Sequence, residues 1–460
     1  MVSTAPVTSV KCLGGDCEEV FGTIRVNISS TDPGTAMNST YNSTPFVILE
    51  INSTNASYIT NEWNSTIDIG STDRIFDIAI DKYENAYVVG MSRSNTRDWE
   101  IKKFNKNSTV MWSKTYNIST NDQASGIALD SGNNVYVAGR AGNNWTVHKL
   151  TDDGTNEWNK TYSLSANINI AYEIAIDSSD NIYVVGSENN IYWRVMKINT
   201  TGHSTWNRTY DFNGSAFSVG IDNLDNIYVG GYKNVSSNSK FEEHAMKIDS
   251  DGLSLWNNTY TSGTAKNVIN QVLIDGINRI YLIGGDAGSA DPFTIREIDI
   301  DGNTIRTVHI DAKGGTGGET GIGAQSAGTD TSGNIYMAGT SSTDVVMEIK
   351  KINDEFNLSM NRFYPKTTDL IKMVANAITI DRSGNMYVGG SITDAEEDWF
   401  LMKFDAYHNP AGCGSLSGGC AYNFKINATS IGKYQIDVLY NTTLAGVEAN
   451  STSGINISVQ

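Results

Sequence analysis

The sequence predicts an all-β fold: a seven-bladed β-propeller closed by an N-terminal strand, with a small β-sandwich-like (Ig-like) domain built from the two tails. Three observations carry this expectation. One short phrase recurs seven times, a second phrase follows most copies, and a fragment of that second phrase stands displaced ahead of the first copy.

The first phrase is an apolar pair, Asp, three turn residues, usually Asn, an apolar residue, Tyr, apolar residues and Gly. It reads IAIDKYENAYVVG ending at Gly90, IALDSGNNVYVAG at Gly139 and IAIDSSDNIYVVG at Gly186. It returns at Gly231, Gly284, Gly339 and Gly390. The period of roughly 50 residues is that of one propeller blade. Alternating apolar residues lead into Asp81, Asp130, Asp177, Asp222, Asp275, Asp330 and Asp381, so each copy reads as two strands and a turn. Asp and Asn bond their own backbone in such turns, and the closing Gly permits close backbone approach.

The second phrase is an aromatic, alternating residues, Lys, a Gly turn and Trp, as in WTVHKLTDDGTNEWNKTY (145–162) and WRVMKINTTGHSTWNRTY (193–210). It supplies a third and a fourth strand joined by a tight hairpin turn. TIREIDIDGNTIRTVHI (294–310) and EIKKINDEFNLSMNRFY (348–364) keep the pattern but lack the Trp. The seventh copy stops after WFLMKFDAYHNP (399–410), whereas NEWNSTI (61–67) matches NEWNKTY (156–162). Residues near 58–68 are therefore expected to supply the outer strand of the last blade, which removes the gap of an open ring.

The phrases IAIDSSDNIYVVG and KIDSDGLSLW resemble the seven-bladed propeller repeat of exported bacterial and archaeal surface proteins, over roughly residues 58–408. That resemblance implies an exported scaffold and carries no catalytic residues to this chain.

Three regions follow: an N-terminal β-tail (1–57), the propeller (58–408) and a C-terminal β-tail (409–460). Each tail holds strand-like runs and a cysteine pair, Cys12 with Cys17 and Cys413 with Cys420. Ring closure brings the chain ends together, and either tail alone offers too few strands to be stable. Disulfides are the expected state of the four cysteines, in any of three pairings. A zinc site is the weaker reading, because the second spacing is wide and an exported protein oxidises such thiols.

The net charge of −18 disfavours nucleic acid and anionic lipid. No stretch approaches the length of a membrane span. The opening MVSTAPVTSV lacks the basic flank and apolar run of a signal peptide, so an exported protein is expected here in mature form. An extracellular or cell-surface location rests chiefly on twenty Asn-x-Ser/Thr sequons. These are Asn27, Asn38, Asn42, Asn52, Asn55, Asn64, Asn107, Asn117, Asn144, Asn159, Asn199, Asn207, Asn213, Asn234, Asn257, Asn357, Asn427, Asn441, Asn450 and Asn456. Such density suits an archaeal surface protein. Asn64, Asn159, Asn207 and Asn257 share one position of the outer strand, where alternation turns Asn away from the Trp side. Glycans spaced around the circumference are the expectation.

No catalytic, cofactor-binding or metal-binding motif is found, and no enzyme is expected. His148 stands where sister blades have Met196 and Met246, which marks a packed strand residue; His203, His244, His309 and His408 are scattered. The glycine cluster 313–323 lacks the strand-to-helix setting of a phosphate cradle. Acidic pairs before glycine, such as Asp249 with Asp251, resemble fragments of calcium loops without the full ligand series and read as turn residues. Glu396, Glu397 and Asp398 read as a solvated hairpin tip. The less favoured third reading, a propeller hydrolase or quinone-dependent dehydrogenase, requires a polar cluster with perturbed pKa values at the central channel, and the sequence shows no such set. The expected role is a non-enzymatic structural glycoprotein of a filament or surface layer, self-associating through its tails. The alternative is a secreted adhesin or lectin with a glycan or cell-surface partner.

Overall fold

In the computed structural model the described residues are 25–30, 49–53, 61–67, 69–93, 96–164, 168–235, 240–260, 267–286, 293–310, 322–340, 347–364, 372–393, 396–404, 422–426, 432–444 and 447–459. The chain divides into two compact units, residues 61–406 and residues 1–60 with 407–460. The larger unit holds seven four-stranded antiparallel sheets. Blade one runs through Arg74–Ile80, Ala86–Arg93, Arg97–Phe104 and Val110–Tyr116 in chain order, and blades two to six repeat that order. Blade seven takes Lys372–Ile380, Met386–Thr393 and Glu397–Phe404 and completes itself with Asn61–Ile67. Asn64 lies opposite Met402, the register that Asn159 holds opposite His148. The first strands touch one another in a closed ring, with that of blade seven against that of blade one. The fold is thus a seven-bladed propeller closed by an N-terminal strand.

Each blade is tied together at its turn. Asp130 Oδ1 accepts from the backbone N–H of Gly132 (2.9 Å) and Asn134 (2.8 Å), while Oδ2 accepts from Asn134 Nδ2 (2.8 Å) and the Tyr136 hydroxyl (3.3 Å). Asp177 and Asp222 repeat this with Asn181 and Tyr183 and with Asn226 and Tyr228. The residue before the Asn is left-handed, as at Asn133 (φ 63°), Asp180 (φ 59°) and Gly333 (φ 79°), which explains its Asn, Asp and Gly content. A third-strand lysine covers the tyrosine in six blades, Lys149 standing 5.4 Å over the Tyr136 ring, and in blade five Arg279 takes that place over Tyr281 at 5.7 Å. In blade five Arg279 replaces the Asn and reaches Asp275 Oδ2 at 2.6 Å.

The closing glycines are required sterically. A Cβ at Gly139 would stand 2.0 Å from the Gln123 carbonyl oxygen and 2.9 Å from Trp99 of the preceding blade. Trp99, Trp145, Trp193 and Trp399 are fully buried between blades. The outer-strand Trp makes a second seam. Trp112, Trp158, Trp206 and Trp256 donate Nε1–H to a turn carbonyl of the next blade at 2.9–3.0 Å. Each lies on a left-handed glycine there (Gly154, Gly202, Gly252 and Gly302), where a Cβ would come within 3.1 Å of the ring.

Where the Trp is absent, so is the glycine. Blade five has Arg306 in that place, and blade six answers with Phe356, left-handed at φ 67°. The Arg306 guanidinium stacks 3.6 Å from the Phe356 ring centre and donates to the Asp354 carbonyl at 2.9 Å. This pairing accounts for the departure of TIREIDIDGNTIRTVHI and its successor from the repeat.

The second unit joins strands from both chain ends. Arg25–Ser30 pairs with Gly432–Leu444, which pairs with Val447–Val459. Leu49–Ser53 pairs with Tyr422–Ile426. No described residue forms a helix long and apolar enough to cross a membrane. Cys12, Cys17, Cys413 and Cys420 lie outside the described residues, as do Asn38, Asn42, Asn55, Asn427, His408 and most of the glycine cluster.

Candidate functional site

The polar residues the fold gathers most closely form a girdle on the inner strands. The position four residues before each turn Asp holds Asp77, Gly126, Glu173, Ser218, Gln271, Ser326 and Ala377. A β-bulge at this point turns these residues toward the neighbouring blade. Asp77 Oδ2 accepts from Ile127 N–H (2.8 Å), Glu173 Oε2 from Val219 N–H (2.7 Å) and Ser218 Oγ from Val272 N–H (2.8 Å). Gln271 Oε1 accepts from Ala327 N–H, and Ser326 Oγ from Ile378 N–H at 3.2 Å. Ala377 cannot do this, so Asn376 donates to the Ile75 carbonyl at 2.9 Å and closes the ring. At Gly126 the strand of blade three approaches instead, and a Cβ would stand 2.9 Å from Glu173 Cα.

Two girdle members are acids in strained electrostatic circumstances. Asp77 and Glu173 are half-buried, walled in by the inner strands. Burial pushes the Asp77 carboxyl up to about 7, against the lowering effect of its bonds from Ile127 and Ile78. Burial, with the charge of Asp77 in support, pushes Glu173 up to about 8 despite bonds from Ser218 and Val219. Both therefore hold protons near neutrality that exposed carboxyls release. This is the axial, perturbed pair that the sequence reading did not find. Aligned on the turn Asp, this inner position varies among Asp, Gly, Glu, Ser, Gln and Ala, and only the residue after it stays apolar in every blade. An oxygen of each acid already holds the adjacent blade, and that is the work its hydrogen bonds perform.

His148 and His244 are packed residues, whereas His203 and His309 are exposed. His148 lies 5.1 Å from Trp99 and 4.5 Å from Tyr116, ring centre to ring centre. Burial pushes it down to about 4. His244 sits against Trp193 and Phe212, and burial, then Lys233, takes it to about 4. His203 and His309 bond to Thr201 and Thr294. Among the described residues no group of His, Cys, Asp or Glu is arranged to hold a metal. Asp249 and Asp299 serve as turn acceptors for backbone N–H groups. Glu397 differs from the solvated tip expected of it. Its carboxylate forks onto Arg74 at 2.7 and 3.0 Å, joining blade seven to blade one.

The sequons fall into three groups. Asn159, Asn207 and Asn257 are exposed on consecutive outer strands, each opposite the same third-strand position (His148, Met196 and Met246). Asn107, Asn117, Asn213 and Asn357 are exposed in turns and connections, while Asn144, Asn199 and Asn234 are half-buried. Asn27, Asn52, Asn441, Asn450 and Asn456 lie on backbone-described strands of the second unit. Their amides are not equivalent. Asn117 Nδ2 donates to Thr96 Oγ1 and Asp98 Oδ1, both at 2.9 Å. Asn207 engages Arg194 through Oδ1 only.

No family model matches this chain, and no curated protein does. Three solved structures are similar to it at low identity. A protein of unknown function from Bacteroides caccae matches at 13% identity over 67% of this chain and 98% of that one, with a TM-score of 0.40. The Pan2 WD40 domain of Neurospora crassa matches at 9% identity over 61% and 89%, with a TM-score of 0.40. A fungal alcohol oxidase of the AA5 family, solved in complex with copper, matches at 11% identity over 86% and 98%, with a TM-score of 0.48. The seven blades are read from the chain's own hydrogen-bonded sheets.

Proposed function

We propose that this chain is a non-enzymatic, N-glycosylated structural protein of an extracellular assembly, a filament or surface layer, whose subunits join through the tail-built unit. One observation carries the reading. Asn159, Asn207 and Asn257 repeat at one exposed register of consecutive outer strands, so sugars added there would stand off the wall without disturbing a blade. The axis supports the same reading, because its polar groups are committed to neighbouring blades. A rigid ring with a glycosylated wall leaves the tails to make subunit contacts.

Glycopeptide mapping and electron microscopy of native material test this together. Occupied Asn159, Asn207 and Asn257, in ordered polymers with contacts through residues 1–60 or 407–460, are expected. Unmodified wall sequons would remove the glycoprotein reading, and dispersed monomers in the native material would remove the assembly. Asn117 is expected to be the least occupied of the exposed group, because its Nδ2 is already spent.

A further inference from the structure

One end of the ring carries, at the seam between blades one and two, a pair of cations that the girdle does not explain. Arg97 opens the third strand of blade one, and Arg140 lies near the end of the second strand of blade two. Both donate to one oxygen, Asn121 Oδ1, at 3.3 and 3.2 Å. Two guanidinium groups are thus held together by a neutral amide. Burial, then the charge of Arg97, pushes Arg140 down, and Arg140 Nε is buried without a hydrogen-bond partner. The nearby acid, Asp122, spends Oδ2 on the N–H groups of Ile118 and Ser119 and Oδ1 on that of Gly142. Like charges gathered in a chain of net charge −18 require an explanation.

An aromatic shelf continues from this pair along the same end of blades three and four. Tyr172 meets Phe217 edge-on at 4.9 Å, Phe217 lies 5.4 Å from Tyr232, and Tyr232 lies 4.7 Å from Phe241. All four are half-buried, so ring surface stays open. The first strand of blade three, which carries Tyr172, packs against the second strand of blade two, which carries Arg140, so the shelf lies beside the cationic pair, and the Ser215 hydroxyl reaches the Tyr232 hydroxyl at 3.5 Å. The positions are not part of the repeat. Those aligned with Tyr172 and Phe217 hold Phe76, Ser125, Asn270, Gln325 and Asn376, and those aligned with Arg140 and Tyr232 hold Met91, Ser187, Gly285, Thr340 and Ser391. The fold does not demand these residues.

We infer that this end of blades one to four is a binding site for a carboxylate-bearing sugar ring. The paired guanidinium groups match a carboxylate in geometry and charge. The shelf offers apolar ring faces to the C–H face of a sugar, and its hydroxyls offer partners to sugar hydroxyls. The assignment is independent of whether the chain forms a polymer or carries glycans.

The test is ligand-observed NMR on the whole chain with glucuronate, glucose, benzoate and acetate as separate probes. Glucuronate should bind and the other three should bind at least about tenfold more weakly, since each lacks the carboxylate or the polyol ring. Arg140→Gln and Phe217→Ala should each weaken glucuronate by about tenfold, whereas Lys160→Gln on the outer wall should change nothing. Arg97→Gln and Tyr172→Phe serve if either of the first variants lowers the melting temperature. Equal binding of glucose, benzoate or acetate would overturn the assignment, as would no binding of glucuronate or binding indifferent to Arg97 and Tyr172.

Discussion

Two stretches of the ring solve one packing problem with different chemistry. Between blades two, three and four the seams are apolar: Trp145 and Met196 share one core cluster, Trp193 and Met246 the next, and outer Trp rings lie on glycines. Between blades four, five and six charges take those places. Glu243 stands in the position of Trp193 and pairs with Arg296 in the position of Met246, Nη2 to Oε2 at 3.1 Å. Phe293 faces Lys350 at 4.8 Å, and Lys350 pairs with Glu348. Arg306 and Phe356 replace the outer Trp and Gly. The blade therefore specifies the combined volume and polarity of a facing pair rather than either residue. The apolar seams tolerate loss of a partner gradually, whereas the charged seams do not, because an abandoned buried charge costs more than a cavity.

Arg296→Met should expose this difference most strongly. Glu243 would lose both guanidinium contacts while its side chain stays 4% exposed. A loss of about 3–5 kcal/mol is expected, read as a fall in the denaturant midpoint. The double variant with Glu243→Leu should recover most of it. A double variant no more stable than the single one would show that the pair is not the seat of the effect.

Trp206→Ala removes a half-buried ring from Gly252 together with its bond to the Ser250 carbonyl. The expected loss is about 2–4 kcal/mol, smaller than for Arg296 because no charge is abandoned. Introducing Trp206→Arg with Gly252→Phe tests the pairing rule directly. If the rule holds, the double variant is more stable than Gly252→Phe alone, in which a left-handed Phe meets an intact Trp ring.

How much of this was legible in the sequence follows from what repeats. The seven turn Asp residues, the closing glycines and the displaced NEWNSTI gave away the blades and their closure, because each serves one geometric purpose in every copy. His148 was readable as packed from its sister methionines. The Arg306–Phe356 pair looked like decay of the motif, since its two halves are compensating only once blade five is laid against blade six. Asp77 and Glu173 were hidden for a related reason. Their position varies from blade to blade, and what unites Asp, Glu, Ser and Gln there is an acceptor oxygen reaching a neighbour about 50 residues away. The Arg97–Arg140 pair left no periodic trace at all.

The girdle provides a contrast that runs across both stretches and responds to pH. Folded-state values of about 7 for Asp77 and about 8 for Glu173 lie above their ordinary ones, so the native state binds more protons than the unfolded chain between them. Stability from this source is complete below about pH 4 and is lost as pH rises through 7 to 8. His148 and His244, depressed to about 4, act oppositely: their contribution is present above about 6.5 and is lost as pH falls through 4. The two trends offset each other between roughly pH 4.5 and 6.5, leaving a decline above neutrality. Urea midpoints from pH 5 to 9 should show that decline, and Glu173→Gln should flatten it by an amount below that of either seam variant. A decline unchanged in Glu173→Gln would place its origin elsewhere.

The smallest effect belongs to the seam where the ring closes, and its smallness is informative. Arg74 and Glu397 join blades one and seven with a forked pair that looks like a clasp, yet the Arg74 side chain is 46% exposed. Water screens such a pair, and exposed pairs contribute about 0.2–1 kcal/mol. The same seam has Trp399 fully buried, with its Nε1–H bonded to the Met91 carbonyl at 3.1 Å, and it has the Asn376 bond on the axis. Closure thus rests on the packing of Trp399 and on side-chain-to-backbone hydrogen bonds, with buried Lys102 standing 5.8 Å from the Trp399 ring and paired with Glu100 at 3.3 Å as Lys350 is with Glu348, and the Arg74 pair is a surface addition. Arg74→Gln should lower the midpoint by no more than about 1 kcal/mol, and the difference from wild type should shrink between 0.05 and 0.5 M salt, roughly the range over which screening takes hold. A loss as large as that of Arg296→Met, or one indifferent to salt, would show that the Arg74–Glu397 pair is more than a surface addition.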